Sequence, residues 1–186
     1  MKLLFENWRK YLNESKLRIF DFDDTLATTD SKIIVKKSDG TQVEQTPGEY
    51  AVYEPQPGDE FDFSQFGGAL INPKEIKAMA NVFRRITSAP GDRKVAILTA
   101  RAEGAKEAIR KFISDMGVDV EPIEIETLGS SDPLDKAAWI DKKIQQGYSD
   151  IYFADDSHKN IAVVDDLKKK YQNNPEVKIR TQLVDE

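Results

Sequence analysis

Residues 17–26 read LRIFDFDDTL, and this stretch decides the fold because a buried, strand-like run ends here in two carboxylates. Side chains alternate along an extended strand, so Asp21 and Asp23 lie on one side while Phe22 points to the other. Two ionised carboxylates this close repel each other, so a proton, a metal ion or a basic side chain must offset their charge. The stretch therefore predicts a polar site at the end of a core strand, with its positive partner supplied from elsewhere in the chain.

Composition limits both the size and the chemistry of the protein. With 186 residues, 39% of them apolar, the chain fits one globular domain with a core of ordinary size. A net charge of −6 argues against general binding of polyanions, so nucleic acid is a possible partner but not a favoured one. The absence of cysteine and the single histidine, His158, exclude disulfides, thiol nucleophiles and histidine clusters for zinc. Oxygen ligands remain, and these favour Mg²⁺.

Residues 1–16 form a separate N-terminal segment, which the spacing of its apolar side chains predicts to be an amphipathic helix. Leu4, Trp8, Tyr11 and Leu12 would share one face of that helix. Such a face either packs on its own domain or docks a protein partner, and the sequence leaves both open. No stretch is as long and apolar as a membrane span, so we expect a cytoplasmic protein without a membrane association.

Residues 28–72 are predicted to be an insertion, which we call the cap. Two strand-like runs, 33–35 and 41–43, are separated by the turn sequence Ser38-Asp39-Gly40, which predicts a β-hairpin. A further extended piece is predicted at 50–53. The cap is either a mobile surface loop without function or a lid over a site, and long ordered loops in compact domains favour the lid.

From residue 72 onward, helix and strand patterns alternate. Asn72 is predicted to cap a helix that Pro73 opens and that continues through Phe83. The later predicted strands are 95–98, 123–125, 151–154 and 177–179, and the later predicted helices run through 105–116, 134–144 and 161–167. This alternation predicts an α/β fold over residues 17–186: a Rossmann-like doubly wound parallel sheet, with the small β-hairpin cap inserted after its first strand. The site is expected at the carboxyl ends of the strands.

Polar residues follow three of these strands and complete a set of motifs. Thr99 and Arg101 come after the strand 95–98, and the pair Asp155-Asp156 comes after the strand 151–154. Lys136 precedes Asp155 by 19 residues, near the start of a predicted helix. Together with the Asp-x-Asp-x-Thr sequence at 21–25, this ordered set resembles the haloacid dehalogenase-like (HAD) superfamily of phosphohydrolases. The match spans residues 17–160.

The resemblance implies a role for each motif residue. Asp21 would be the nucleophile that forms an aspartyl-phosphate, and Asp23 would be the general acid and base. Thr99 and Lys136 would hold the phosphoryl oxygens of the substrate. Lys142 and Lys143 lie one to two turns later and are weaker candidates for the same lysine.

The resemblance also implies a magnesium site. Its ligands would be Asp21, the backbone carbonyl of Asp23, and Asp156 with help from Asp155. Asn160 stands where many relatives have another acid, so it would either reach the metal through water or support the loop. Arg101 would either bind the substrate phosphate or face solvent.

The expected function is a magnesium-dependent phosphomonoester hydrolase acting on a small phosphorylated metabolite or nucleotide. The cap carries three lysines against eight aspartates and glutamates, a net charge of −5 that would repel a long polyanion. The segments 71–73 and 99–101 are similar to the 3′-phosphatase part of phage polynucleotide kinases, so a polynucleotide 3′-phosphatase is the alternative, with a phage protein in the host cytoplasm as the setting. A non-catalytic phosphate- or partner-binding module is the third possibility.

Overall fold

The computed structural model describes residues 15–185, and the predicted N-terminal helix lies outside them apart from its last two positions. Ser15 and Lys16 do not belong to a helix, because they already form the start of the first strand. The strands are β1 (Ser15–Phe20), β2 (Ala27–Thr28), β3 (Ile33–Lys36), β4 (Gln42–Gln45), β5 (Glu60–Asp62), β6 (Lys74–Glu75), β7 (Arg93–Thr99), β8 (Ile123–Thr127), β9 (Tyr148–Asp155) and β10 (Lys178–Leu183). The α-helices are α1 (Pro47–Ala51), α2 (Lys77–Ser88), α3 (Lys106–Asp115), α4 (Pro133–Gln145) and α5 (His158–Lys170), and short 3₁₀ turns occupy Ser64–Phe66 and Glu103–Ala105.

Five parallel strands form the central sheet, in the order β10-β9-β1-β7-β8. The strand β1 is central, with Phe20 paired to Ile97 of β7 and to Ala154 of β9. This register brings the ends of the three strands that carry the predicted motifs side by side. The doubly wound α/β fold predicted from the sequence is confirmed.

Helices cover both faces of the central sheet, because successive apolar side chains of its strands point to opposite faces and both sets have to be buried. Phe20 and Ile97 face one side and pack with Phe83 of α2 and Ile109 of α3. The opposite face packs against α4 and α5, through a cluster that includes Leu17, Ile19, Leu98, Ile140, Phe153 and Val164. No helix within residues 15–185 has both the length and the apolar character needed to cross a membrane.

The cap forms a second, smaller sheet. The strand β3 pairs antiparallel with β4 and with β5, so the predicted hairpin is confirmed and gains a third strand. At the base of the cap, β2 and β6 pair as a two-stranded antiparallel ribbon, in which Ala27 lies opposite Glu75 and Thr28 opposite Lys74. The chain therefore leaves and re-enters the core at neighbouring points.

The extended piece predicted at 50–53 is wrong, because residues 47–51 form the helix α1. Thr46 and Glu49 form a capping box: the Thr46 hydroxyl accepts from the Glu49 backbone N–H, and the Glu49 carboxylate accepts from the Thr46 N–H. Pro47 occupies the first turn, where its missing N–H has no cost. These local signals outweigh the strand preference of the aromatic side chains.

The helix predicted to start at Asn72 and Pro73 begins later, at Lys77. Asn72 has a φ of +44°, which suits a turn and not an N-cap, and its side chain donates to Asp30 at 2.9 Å. Residues 74–75 form β6 and close the cap before the helix starts. Residues 74–75 form a strand and not the start of the helix, because they pair with β2, which lies far away in the sequence.

Candidate active site

The turn after β1 places the two predicted catalytic aspartates at the edge of the sheet. The Asp21 N–H donates to the Ala154 carbonyl at 2.9 Å, which continues the β1–β9 ladder by one residue. The chain then folds back, because the N–H groups of Leu26 and Ala27 both donate to the Phe22 carbonyl at 3.0 Å. Phe22 is fully buried in the core, while Asp21 and Asp23 line the same cavity. The alternation predicted from the sequence therefore holds.

Lys136 is the basic partner that the two aspartates at the strand end required. It lies in the first turns of α4, is 4% exposed, and donates to Asp21 Oδ1 at 2.6 Å and to Asp155 Oδ2 at 2.7 Å. Burial alone would lower the pKa of Lys136, but the charges of Asp21 and Asp155 outweigh it and hold that pKa above its ordinary value. The ammonium group therefore stays charged, and it links the nucleophile candidate to the acidic pair.

Lys143, a weaker candidate for the role of Lys136, makes its contacts outside the cavity. Its ammonium donates to both carboxylate oxygens of Glu124 at 2.7 Å and lies 4.6 Å from the centre of the Trp139 ring. Lys142 does not line the cavity, whereas Lys136 does. The choice of Lys136 from sequence spacing thus agrees with its position.

Three carboxylates gather around this lysine. Asp21, Asp155 and Asp156 each offer an oxygen within 4.8 Å of the others. Burial raises the pKa of Asp156 to about 7, and the neighbouring charge of Asp155 adds to the effect. Burial likewise raises the pKa of Asp21, helped by the surrounding carboxylates and opposed by Lys136. One ammonium group does not balance the negative charge collected here.

The acidic pair is held in place by hydrogen bonds from the loop and helix that follow β9. Asp155 is completely buried and accepts from the Ser157 N–H at 2.8 Å and from the Asn160 side-chain amide at 2.9 and 3.1 Å. The Thr25 hydroxyl donates to Asp156 Oδ1 at 3.3 Å. Of the two roles left open for Asn160, supporting the loop is the one that these bonds match.

Arg101 forms a contact that sequence patterns did not indicate. Its side chain is fully buried and donates to Asp23 through Nε at 2.8 Å and Nη2 at 2.7 Å, a bidentate pair. Nη2 also donates to the Thr29 hydroxyl at 3.0 Å, at the start of the cap. The guanidinium lies 4.7 Å from the centre of the Phe66 ring. Arg101 therefore does not face solvent: it lines the cavity, and its Nη1 has no hydrogen-bond partner among the described residues. Its contact with a substrate phosphate stays a prediction.

Thr99 occupies the position expected for a residue that holds a phosphoryl group. It ends β7, is 1% exposed, and lines the cavity that also contains Asp21. Its hydroxyl oxygen accepts from the Arg101 backbone N–H at 3.2 Å, and its hydroxyl proton remains available to a ligand. Thr99, Lys136, Arg101 and the acidic residues, which lie far apart in sequence, meet around one cavity.

The cap forms the other wall of that cavity, whose volume is about 330 Å³. Tyr50, Tyr53, Phe63 and Phe66 line it from the cap side, opposite the polar residues of the sheet edge. Of the two alternatives for the cap, its position matches the lid and not the loop without function. The aromatic character of this wall was not recognised from sequence, although five of the chain's aromatic residues fall between residues 50 and 66.

The residues present fit a hard divalent cation. Carboxylate oxygens are the ligands that Mg²⁺ prefers, and the oxygens of Asp21, Asp155 and Asp156 already lie within one coordination sphere of each other. The carboxylate of Asp23 is not part of this group, since Arg101 holds it. The predicted contribution of Asp23 through its backbone carbonyl stays a prediction.

The comparisons with known proteins bear on the fold. No protein-family model matches the chain, and no curated protein matches it in sequence. In structure, the chain is similar to the HAD domain of the effector protein Lem4 from Legionella pneumophila, in one structure of an inactive mutant (TM-score 0.55, 11% identity) and in a second structure of that domain (TM-score 0.51, 13% identity). The match covers 92% of this chain and 86% and 88% of those chains. The chain therefore has a HAD-like fold, in agreement with the resemblance of its motifs.

Proposed function

We propose that this protein is a magnesium-dependent phosphomonoester hydrolase that works through an aspartyl-phosphate intermediate. The observation that carries the proposal is the convergence of Asp21, Lys136, Thr99 and the Asp155–Asp156 pair on one cavity. A nucleophile, a cation and a hydroxyl donor around a space for a phosphoryl group are the parts that phosphoryl transfer requires. A module that only binds phosphate has no need of a nucleophile beside an acid.

In the first step, a carboxylate oxygen of Asp21 attacks phosphorus and the bond from phosphorus to the ester oxygen breaks. Lys136 is charged and lies 2.6 Å from Asp21, so its ammonium is placed to stabilise the charge on the transferring phosphoryl oxygens. Thr99 offers its hydroxyl proton to the same oxygens from the neighbouring strand end. The leaving oxygen takes a proton from Asp23.

In the second step, Asp23 removes a proton from water, which attacks phosphorus and breaks its bond to Asp21, releasing inorganic phosphate. The bidentate pair with Arg101 engages both oxygens of Asp23, which is the geometry of an ionised carboxylate and suits the base. Action as the acid in the first step requires Asp23 to give up one of those two hydrogen bonds. Arg101 therefore positions Asp23 through Nε and Nη2.

Asp21, Asp155 and Asp156 would hold the magnesium ion, and its charge would offset the repulsion between these carboxylates and the phosphate of the substrate. Hydrogen bonds from Lys136 and Asn160 hold Asp155 in place. The cap covers the cavity on the side opposite these residues.

The test is release of inorganic phosphate from an aryl phosphate by the purified chain, with magnesium and with a chelator. We expect release only with magnesium, and we expect Asp21→Asn to lower the rate at least about 10³-fold, because the amide is not a nucleophile. The exposed Asp119 lies outside the cavity, so Asp119→Asn is the matched control and should keep the wild-type rate. Release without magnesium, or an Asp21→Asn variant as active as the control, would contradict the proposal.

A further inference from the structure

We infer that the cap selects phosphomonoesters whose leaving group carries a flat aromatic ring. The inference deepens the proposed function and rests on it: the sheet edge holds the phosphoryl group, and the cap holds what is attached to it. It is carried by the four aromatic side chains on the cap wall of the cavity, Tyr50, Tyr53, Phe63 and Phe66.

The aromatic wall is a packed cluster and not a set of scattered side chains. The Tyr50 ring meets the Phe61 and Phe63 rings edge to face, with centroids 5.5 and 5.3 Å apart. Phe61 lies on β5, opposite Val35 of β3, so the cap sheet fixes the back of the cluster. The rings at the front are therefore preorganised, and a ligand does not have to order them.

The aromatic wall offers ring surface to a ligand in the cavity. The Tyr53 hydroxyl is already used, since it donates to Asp59 at 2.5 Å and accepts from the Lys37 ammonium at 2.9 Å. Phe63 is 38% exposed although it belongs to the cluster, so part of its ring stays available on the cavity side. Aromatic pairs in edge-to-face or offset geometry contribute about 0.5–1.5 kcal/mol each beyond the area that they bury.

The residues that line the cavity from the cap carry no charge, which favours a leaving group without further anionic groups on that side. Among the described residues that line the cavity, the cations are Arg101, Lys136 and Lys159, and all three belong to the core. Arg101 and Lys136 are paired with aspartates. A second phosphate would face an uncharged wall on an acidic cap, whereas a neutral ring would meet other rings. A volume of about 330 Å³ accommodates a monophosphate with one ring system.

The experiment compares esters that differ in the ring but not in leaving-group chemistry. Benzyl phosphate is measured against cyclohexylmethyl phosphate, and adenosine 5′-monophosphate against ribose 5-phosphate, because each pair releases a primary alcohol. We expect kcat/KM to favour the aromatic member of at least one pair by about tenfold, which corresponds to roughly 1.4 kcal/mol. A preference confined to the first pair identifies a simple aryl group as the source, and one confined to the second identifies a nucleoside.

Variants of the cap residues test whether the aromatic wall is the source of the preference for aromatic esters. In Phe63→Leu and Tyr50→Leu the ratio within the favoured pair should fall to within about twofold of one. Val52 is 79% exposed, lies in the cap and does not line the cavity, so Val52→Ala is the control and should leave the ratio unchanged.

The experiment distinguishes failure of this inference from failure of the proposed function. Release from both members of each pair with ratios near one in the wild-type chain overturns this inference and leaves the proposed function standing. No magnesium-dependent release from any of the four esters overturns both. Because the wild-type ratios alone decide the first outcome, a variant that fails to fold does not remove the test.

Discussion

At the scale of single residues, Arg101 and Asp23 form a buried ion pair within the candidate site. The guanidinium is buried completely and the Asp23 side chain is 15% exposed, so their charges are compensated mainly by each other. Breaking such a pair leaves a charge in a site of low dielectric, which costs about 3–5 kcal/mol. The same two hydrogen bonds fix the plane of the Asp23 carboxylate, which is where the proposed mechanism needs an oriented acid and base.

We therefore predict that Arg101→Ala lowers the free energy of unfolding by about 3 kcal/mol and lowers kcat by about 100-fold. The change in KM should be small if Arg101 acts through Asp23 and not on the substrate. Arg101→Lys keeps the charge but cannot donate two parallel hydrogen bonds, so it should restore most of the stability and little of kcat. Urea unfolding and steady-state kinetics measure the two effects, and a KM effect larger than the kcat effect would show a direct contact with substrate.

The sequence could predict most of the residues that meet at the candidate site, but not this pair. Asp21, Thr99 and Asp155 directly end or follow buried strands, and strand ends meet at one edge of a parallel sheet whatever else the chain does. The partner of Arg101 depends instead on how the turn at Phe22 and the cap at Thr29 pack around the guanidinium. Contacts of that kind have no periodic signal in the sequence.

At the scale of elements, the cap docks on the core through a close backbone contact. A Cβ atom added at Gly104, in the turn before α3, would lie 2.2 Å from the Gly67 carbonyl oxygen of the cap. That separation is far below a van der Waals contact, so any side chain at Gly104 must push the two segments apart. Gly67 directly follows the turn that carries Phe66, which packs on Arg101.

We predict that Gly104→Ala displaces this part of the cap and lowers the free energy of unfolding by about 1–3 kcal/mol, as overpacking does. It should also make the cap easier to cleave in limited proteolysis. Gly48→Ala is the matched control in the cap, since a Cβ atom there meets nothing within 4 Å and α1 gains a better helix former. Equal unfolding curves for the two variants would contradict the prediction.

Within these elements, predictions from sequence patterns were correct where the local signals agreed with the tertiary contacts, and wrong where a tertiary contact overrode them. The hairpin turn at Asp39-Gly40 was predicted because the Asp39 side chain and a glycine with a φ of +85° make that turn locally. The helix start at Asn72 was wrong because pairing of Lys74 with Thr28 takes the chain into a strand first. A contact between residues so far apart in sequence cannot be derived from either segment alone.

At the scale of the whole molecule, one charged cluster ties three strands of the central sheet together. Arg18 of β1 donates to the carbonyl and carboxylate of Asp150 on β9, and Arg180 of β10 donates to the same carboxylate at 2.7 Å. Burial raises the pKa of Asp150, but the hydrogen bonds and charges of the two arginines outweigh it and lower that pKa below its ordinary value. Asp150 does not line the cavity of the candidate site, so we expect its replacement to change stability.

The dependence of stability on pH follows from the direction in which the pKa of Asp150 is shifted. Because the pKa of Asp150 is lower in the folded than in the unfolded chain, its stabilising effect is complete above the unfolded value of about 3.9 and is lost as pH falls through the folded value. We predict that Asp150→Asn lowers the free energy of unfolding by about 2 kcal/mol near neutral pH. The difference from wild type should shrink as the pH drops below about 4.

Urea unfolding of both chains over this pH range is the measurement. The exposed pair of Lys16 and Asp92 supplies the control, and Asp92→Asn should lower the free energy of unfolding much less than Asp150→Asn does. A difference between wild type and Asp150→Asn that does not change with pH would contradict the assignment.

The ribbon of β2 and β6 has a consequence for how such a molecule can change. Thr28 and Lys74 lie opposite each other, so the two ends of the inserted segment are about 5 Å apart and a tight turn could join them. Replacing everything between them would leave the strand order of the larger sheet and its aspartates intact. New selectivity can therefore be acquired by exchanging one module, without redesigning the chemistry beneath it.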